Sequence, residues 1–271
     1  MKKTIIFCIT LLMLDVAIGI ESDCSAKLRL SDPLATPETK ALYRNLHKVA
    51  QKGILFGHED TLAYGVGWKS TKDDFDSEPV PIIFRPYHEH NGDWFRWGAK
   101  WCTPDEYKQL WRLTIDYLRK TKGLHNIITC YSPDRFKDRT EYLERYPGDD
   151  VIDIIGHDNY GNFRSIKTKD QARQALETIV ALAQERNKIA AFTETGVGQR
   201  DVNATWWTDV LLETLKSSPA TRKIAWVLVW RNAGKRQNYA AFPGSATVES
   251  FKTFEADPLT LFMEDLPRMY E

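Results

Sequence analysis

A chain of 271 residues has room for one large domain or two small ones, and 42% hydrophobic with 27% charged residues is the balance of an ordinary globular protein. The 37 basic and 37 acidic side chains cancel, which excludes a nucleic acid or an anionic membrane surface held by bulk electrostatics. Aromatics reach 12% and include nine Trp; indole is costly to expose without a purpose and stacks on the apolar faces of sugar rings, so a neutral polymer is the easier partner.

Residues 1–19 read as an export signal. Lys2 and Lys3 precede an apolar run, Ile5 to Met13, that is too short to cross a bilayer, and Ala17-Ile18-Gly19 is a small-x-small cleavage site. Residues 20–271 then form one exported catalytic domain, periplasmic, secreted or at the cell surface. Cleavage leaves Cys24, Cys102 and Cys130, an odd number, so at most one disulfide forms and one thiol is left over. Cys24 is a candidate lipid-attachment cysteine, although Asp23 before it fits that chemistry poorly. No pair of cysteines has the spacing of a zinc site.

Thr36-Pro37 opens a helix with Leu42, Tyr43, Leu46 and Val49 on one face and Gly53 as its stop. A first strand is expected over Ile54–His58. The stretch from Lys69 to Pro79 is polar, carries Asp73, Asp74, Asp76 and Glu78, and has no apolar periodicity. Further strands are expected over Pro81–His88, Asn126–Tyr131, Val151–Gly156, Ile189–Thr193 and Ile224–Trp230. Most are continuously apolar, as strands covered on both faces should be. Between them, Thr103-Pro104-Asp105-Glu106 supplies an N-cap, a first-turn proline and a capping-box Glu, and Gly123 ends that helix. Ala172, Leu176, Ile179 and Ala183 mark another helix; Trp206, Val210, Leu211 and Leu215 mark one stopped by Pro219. Strands alternating with helices give a parallel α/β fold.

Chemistry collects where the strands finish. Phe84-Arg85-Pro86-Tyr87-His88-Glu89-His90 runs into the aromatic turn Asn91-Gly92-Asp93-Trp94-Phe95-Arg96-Trp97-Gly98. Phe192-Thr193-Glu194-Thr195-Gly196 places a second Glu at the end of a distant strand, and the last strand finishes in Trp230-Arg231-Asn232. Barrel enzymes keep their active sites at this face. Two glutamates among Trp and Tyr suit acetal chemistry, in which one carboxylic acid protonates the leaving oxygen and one carboxylate attacks the anomeric carbon. A Glu after a strand is more often a solvated loop residue; Glu89 departs from that because Arg85, His88 and Trp94 share its neighbourhood. His88 and His90 have an equally simple reading as structural histidines, Trp94 and Trp97 as core, and Glu59 and Asp60 as loop charges. The polar residues beside Trp94 favour a stacking or rim role for it.

At these residues the sequence resembles glycoside hydrolase family 26, whose commonest members are endo-acting β-1,4-mannanases. The matching segments are Gly57-His58-Glu59-Asp60, Arg85-Pro86-Tyr87-His88-Glu89-His90, Trp94-Phe95 with Trp97-Gly98, Asp158-Asn159-Tyr160, Thr193-Glu194 and Trp230-Arg231-Asn232. The resemblance implies a (β/α)8 TIM barrel, a retaining mechanism, a β-mannan polysaccharide or oligosaccharide substrate and no cofactor. It makes Glu89 the acid/base and Glu194 the nucleophile. Tyr160 would hydrogen-bond the nucleophile, His88 and Trp94 would contact sugar near the cleavage point, Trp230 would floor the subsite of attack, and Arg231 would serve a more distant glycone subsite. Arg85 joins these as a substrate-binding candidate.

The family has two further β/α units between the first strand and the His-Glu strand. At about 30 residues per unit, about 60 residues are absent here. Six strands are therefore expected, lacking strands 2 and 3, in an open or distorted barrel with Thr71–Glu78 as an irregular linker, and a poorly soluble or weakly active chain. A His and a Trp of the third unit have no counterpart, and Arg96 stands where the family usually has Trp. Two other readings remain open: a degenerate relative that binds glycan or does nothing, and a family member acting on another β-glucan or a β-xylan. A metal-dependent barrel hydrolase using His88 and His90 would need further ligands; His157 is the only later histidine on a strand, and the last strand ends without an Asp.

Overall fold

A computed structural model describes residues 28–58, 81–198, 203–233 and 237–270. The export segment, Cys24, Glu59, Asp60 and the linker Thr71–Glu78 lie outside the described residues. The first helix, α1 (Pro37–Ala50), begins as the sequence implies: the Thr36 side chain accepts from the Thr39 amide, and Pro37 takes a position whose N–H no helix bond needs. β1 (Ile54–His58) and β2 (Ile82–Phe84) follow, then α2 (Pro104–Asp116), where Thr103 and Glu106 form the expected capping box. Next come β3 (Ile127–Tyr131), α3 (Arg139–Glu144), β4 (Ile154–Asp158), α4 (Lys169–Glu185) and β5 (Ile189–Thr195). Wide helical turns over Trp206–Leu212 run into α5 (Glu213–Lys216), followed by β6 (Trp226–Val229). A small hairpin, β7 (Asn232–Ala233) and β8 (Gln237–Asn238), precedes α6 (Val248–Glu255) and β9 (Thr260–Leu261).

Seven parallel strands make one sheet in the order β2-β3-β4-β5-β6-β1-β9, curled into part of a barrel. The six expected strands are all present, and the seventh is one the sequence pattern did not mark. β9 pairs with only Ile54 and Leu55 of β1, on the edge away from β6. β2 pairs with β3 alone, so among the described residues the sheet has two edges and does not close. A barrel short of two strands cannot keep the tilt and stagger that closure demands.

Side chains alternate between two cores. Toward the helices, Tyr131, Ile155, Phe192, Val227 and Val229 pack with Trp111, Leu176, Ile179, Trp207 and Leu211. On the other face, Ile128, Cys130, Ile154, Ile189, Ala191 and Ala225 meet Leu42, Tyr43 and Leu46 of α1. Apart from Cys130 these positions lie in the first half of their strands or just before them, so α1 covers the N-terminal end of the sheet and leaves the C-terminal ends for chemistry. Burying each of those leucines and isoleucines contributes about 1.5–3 kcal/mol. Cys102 and Cys130 are both free thiols, and Cys130 is fully buried.

Several boundaries differ from expectation: β4 runs over Ile154–Asp158 rather than Val151–Gly156, β6 over Trp226–Val229 rather than Ile224–Trp230, and two more shift for local reasons. The strand expected to run to His88 stops at Phe84, because Tyr87 and Glu89 both take left-handed backbone conformations with φ of 51°. β5 runs on past Thr193 to Thr195, with an irregularity opposite β4: His157 faces Phe192, but Asp158 faces Glu194. Such a bulge re-aims the side chains beside it.

Candidate active site

Glu89 sits just beyond β2 in a tight turn. A left-handed residue other than Gly costs about 1–2 kcal/mol, and two such residues flank His88. Local bonds offset that strain. The Glu89 amide donates to Ser132 O at 2.8 Å, Tyr107 donates to Tyr87 O at 3.2 Å, and the Tyr87 hydroxyl pairs with Thr114 at 2.9 Å. Asn91 ties the turn to the loop after β3: its Nδ2 donates to Arg135 O at 2.9 Å and its Oδ1 accepts from the Asp134 amide at 2.8 Å. The outcome is a carboxyl group held in one direction. Trp94, 53% exposed, donates its indole N–H to Glu89 Oε2 at 2.7 Å. Burial and the charge of Glu194 push the Glu89 carboxyl up to about 7, with Trp94 opposing.

Glu194, buried at the end of β5, is gripped from two sides. Arg85 donates to its Oε2 at 2.5 Å and the Tyr160 hydroxyl donates to its Oε1 at 2.6 Å. Arg85 also donates to Asp158 Oδ2 at 2.6 Å. Asp158, fully buried, accepts from Ser132 and Thr193 hydroxyls at 2.7 Å each. Burial, with the neighbouring Glu194, raises the Asp158 carboxyl above the ordinary range while Arg85 opposes the shift. Arg85, grouped with substrate-binding candidates on sequence grounds, thus spends its guanidinium on two carboxylates and orients Glu194.

His88, Asp158 and Glu194 bring donor atoms within 4.8 Å of one another, the one grouping among the described residues that could hold a metal ion. The donor set argues against it. A cation, Arg85, already bridges both carboxylates, so a metal would have to displace it. Burial, aided by Arg85, drives His88 down to about 4, which leaves its imidazole neutral at neutral pH, so the obstacle to a metal is the bridging guanidinium and not the histidine. The other histidine of the motif goes elsewhere: His90 is buried between the rings of Tyr107 and Tyr131, at 4.2 and 4.8 Å, and neither of its nitrogens finds a hydrogen-bond partner among the described residues. It belongs to the aromatic core, as does His157, which packs on Phe136 and Phe192.

The remaining site candidates contact residues that border these carboxylates rather than the carboxylates themselves. Trp97 donates to His88 O at 2.8 Å and stacks on Phe95 with centroids 4.5 Å apart, bracing the loop. Trp230 stands edge-on to Tyr160 at 6.4 Å, and the Arg231 guanidinium lies 4.6 Å from the Trp230 ring. Ser132 was not marked by the sequence, since a hydroxyl after a strand is commonplace, and Thr193 was marked only as the neighbour of Glu194; only the fold shows both on Asp158. Asp134 also escaped notice, yet its charge adds to the upward push on Glu89.

Comparison with known proteins shows what the chain is similar to. Residues 67–232 match the family model of glycosyl hydrolase family 26. A mannan endo-1,4-beta-mannosidase of Bifidobacterium adolescentis is 35% identical over 201 residues, which are 66% of this chain and 20% of that protein. A second mannan endo-1,4-beta-mannosidase, from Bacillus subtilis, is 32% identical over 70% of this chain and 51% of its own length. The chain thus spans about a fifth and about half of these two relatives. Among solved structures, the protein designated GH26C from Muricauda sp. MAR_2010_75 superposes with a TM-score of 0.78 at 27% identity, covering 89% of this chain and 96% of that one.

Proposed function

This chain belongs to glycosyl hydrolase family 26, and on that footing we propose that it hydrolyses β-1,4-mannosidic bonds within mannan, glucomannan or galactomannan, with retention at the anomeric carbon. The observation that carries the reading is the asymmetry of its two glutamates. Glu89 is held near a pKa of about 7, so at neutral pH a large share of it carries a proton. Glu194 accepts from Arg85 and Tyr160, which fixes its oxygens for attack. Paired carboxyls with divergent environments are the signature of divided acid and nucleophile roles.

In the first step Glu89 gives its proton to the glycosidic oxygen as that bond breaks, while a Glu194 oxygen bonds to the anomeric carbon. In the second step ionised Glu89 takes a proton from water, whose oxygen displaces Glu194 and regenerates both groups. Neutral His88 offers hydrogen bonds to sugar hydroxyls without adding charge, Trp230 offers an apolar floor, and Trp94 a rim. None of these steps requires a cofactor. Export, expected from residues 1–19, fits this substrate, because a polysaccharide does not cross a membrane.

Release of reducing ends from soluble galactomannan by the purified chain, absent in Glu194→Ala, is the expected result, with the β-anomer appearing first by NMR. Equal release by Glu194→Ala, or the α-anomer first, contradicts it. A second reading, a glycan-binding relative without turnover, is favoured by the sheet's not closing among the described residues; binding of manno-oligosaccharides with no hydrolysis would select it.

A further inference from the structure

The hairpin after Trp230 carries a residue to which none of the roles above is assigned. Asn232 grips the far side of that hairpin: its Oδ1 accepts from the Tyr239 and Ala240 amides at 2.8 and 3.0 Å, and its Nδ2 donates to Ala240 O at 3.2 Å. This clasp sets the Tyr239 backbone beside the end of β6. The Tyr239 ring stands edge-on to Trp230, with centroids 5.1 Å apart and planes at 62°, and to Tyr160 at 5.9 Å and 75°. Edge-to-face pairs of this kind prefer these geometries and resist rotation. Tyr160 is the residue that donates to Glu194, so the cluster reaches the proposed nucleophile directly.

The strand of that nucleophile makes room for the ring. Gly196, two residues past Glu194, has a φ of 139°, and a Cβ there would fall 2.8 Å from Tyr239 Cδ1. A side chain at this position would push the ring off its seat, and L-residues avoid that backbone conformation. Tyr239 is only half-buried, so it is not sealed inside the core. Burial, with Arg164 opposing and Glu194 adding, raises its hydroxyl, which stays a neutral donor at working pH. A ring packed by two site aromatics, seated on a glycine just past the nucleophile strand and left partly open, is poorly explained as core filler.

We propose that Tyr239 is a positioning residue for the sugar on the glycone side: it locks the faces of Trp230 and Tyr160 and closes one wall of that subsite. The inference rests on the mannan-hydrolase reading above.

The test is calorimetric titration of mannohexaose into the full chain, with Glu89→Gln in every sample so that the ligand survives. Tyr239→Ala and Tyr239→Leu should each lose about tenfold in affinity, the loss of edge-to-face support at two rings. Tyr239→Phe should stay within about threefold, since it keeps the ring. Ala and Leu variants that fold and bind like the parent refute the proposal. Variants that both fail to fold also refute it, because the ring would then be a support of the fold. A parent that binds no mannohexaose overturns the substrate reading and this inference with it; a binding parent with unaffected variants overturns the inference alone.

Discussion

Arg85→Ala tests the electrostatics of the site most directly. The guanidinium bridges Asp158 at 2.6 Å and Glu194 at 2.5 Å, and both carboxylates are almost wholly out of water. Without it, two acids whose oxygens lie within 4.8 Å of each other have no cation between them. Unit charges at 4.8 Å repel by about 3.5 kcal/mol at an effective dielectric constant of about 20. Breaking buried ion pairs by removing one partner costs about 3–5 kcal/mol, the same size. For a chain of this length each kcal/mol moves Tm by about 2–4 °C, so the variant should melt roughly 7–14 °C lower at pH 7. The sign of the pH dependence follows. An unpaired buried carboxyl has a folded-state pKa above its unfolded one, so its penalty is full at high pH and fades as pH falls and the proton is taken up. Asp158, which burial already holds above the ordinary range, is the group that takes it. The Tm gap between variant and parent should therefore narrow between pH 7 and pH 5, followed by circular dichroism. A loss below about 1 kcal/mol at pH 7, or a gap that widens toward pH 5, would refute the reasoning.

Glu89 should set the basic limb of kcat/KM: with its carboxyl at about 7, activity on mannan falls as pH rises through that value, and activity that holds level through about pH 7–9 would contradict it. Glu89→Ala should lose far more on mannan than on a nitrophenyl mannoside, whose leaving group needs no proton; equal losses would contradict the acid role. Thr103→Ala removes the capping box of α2 and should cost about 1 kcal/mol in urea unfolding with no change in KM, while a changed KM would tie that helix to the site. The sheet edge at β2, unpaired among the described residues, should make the chain self-associate, visible as concentration-dependent mass by light scattering and relieved by inserting two β/α units; a stable monomer with full mannanase turnover would show the edge to be harmless.

Residues close in sequence decided what short range can decide. The capping box at Thr103, the helix start at Thr36-Pro37, the apolar runs of β3 to β6 and the placement of Glu89 and Glu194 at strand ends all follow from periodicity and local hydrogen bonding, which act within a few residues. The family resemblance rests on the same short segments, and so does the expectation of missing strands, since the distance along the chain between β1 and β2 is fixed by sequence. Only the tertiary structure decided what those groups are. Arg85 reads as a substrate contact until the fold brings it to Asp158 and Glu194, 73 and 109 residues away. His88 and His90 are two residues apart and equivalent in pattern, yet one faces the carboxylates and the other lies between Tyr107 and Tyr131. Tyr239 and β9 carry no local mark at all, because their roles are set by the neighbour each one meets. The shift of Glu89 to about 7 has the same origin: desolvation and the field of a distant carboxylate are properties of packing, and no stretch of sequence contains them before the chain has folded.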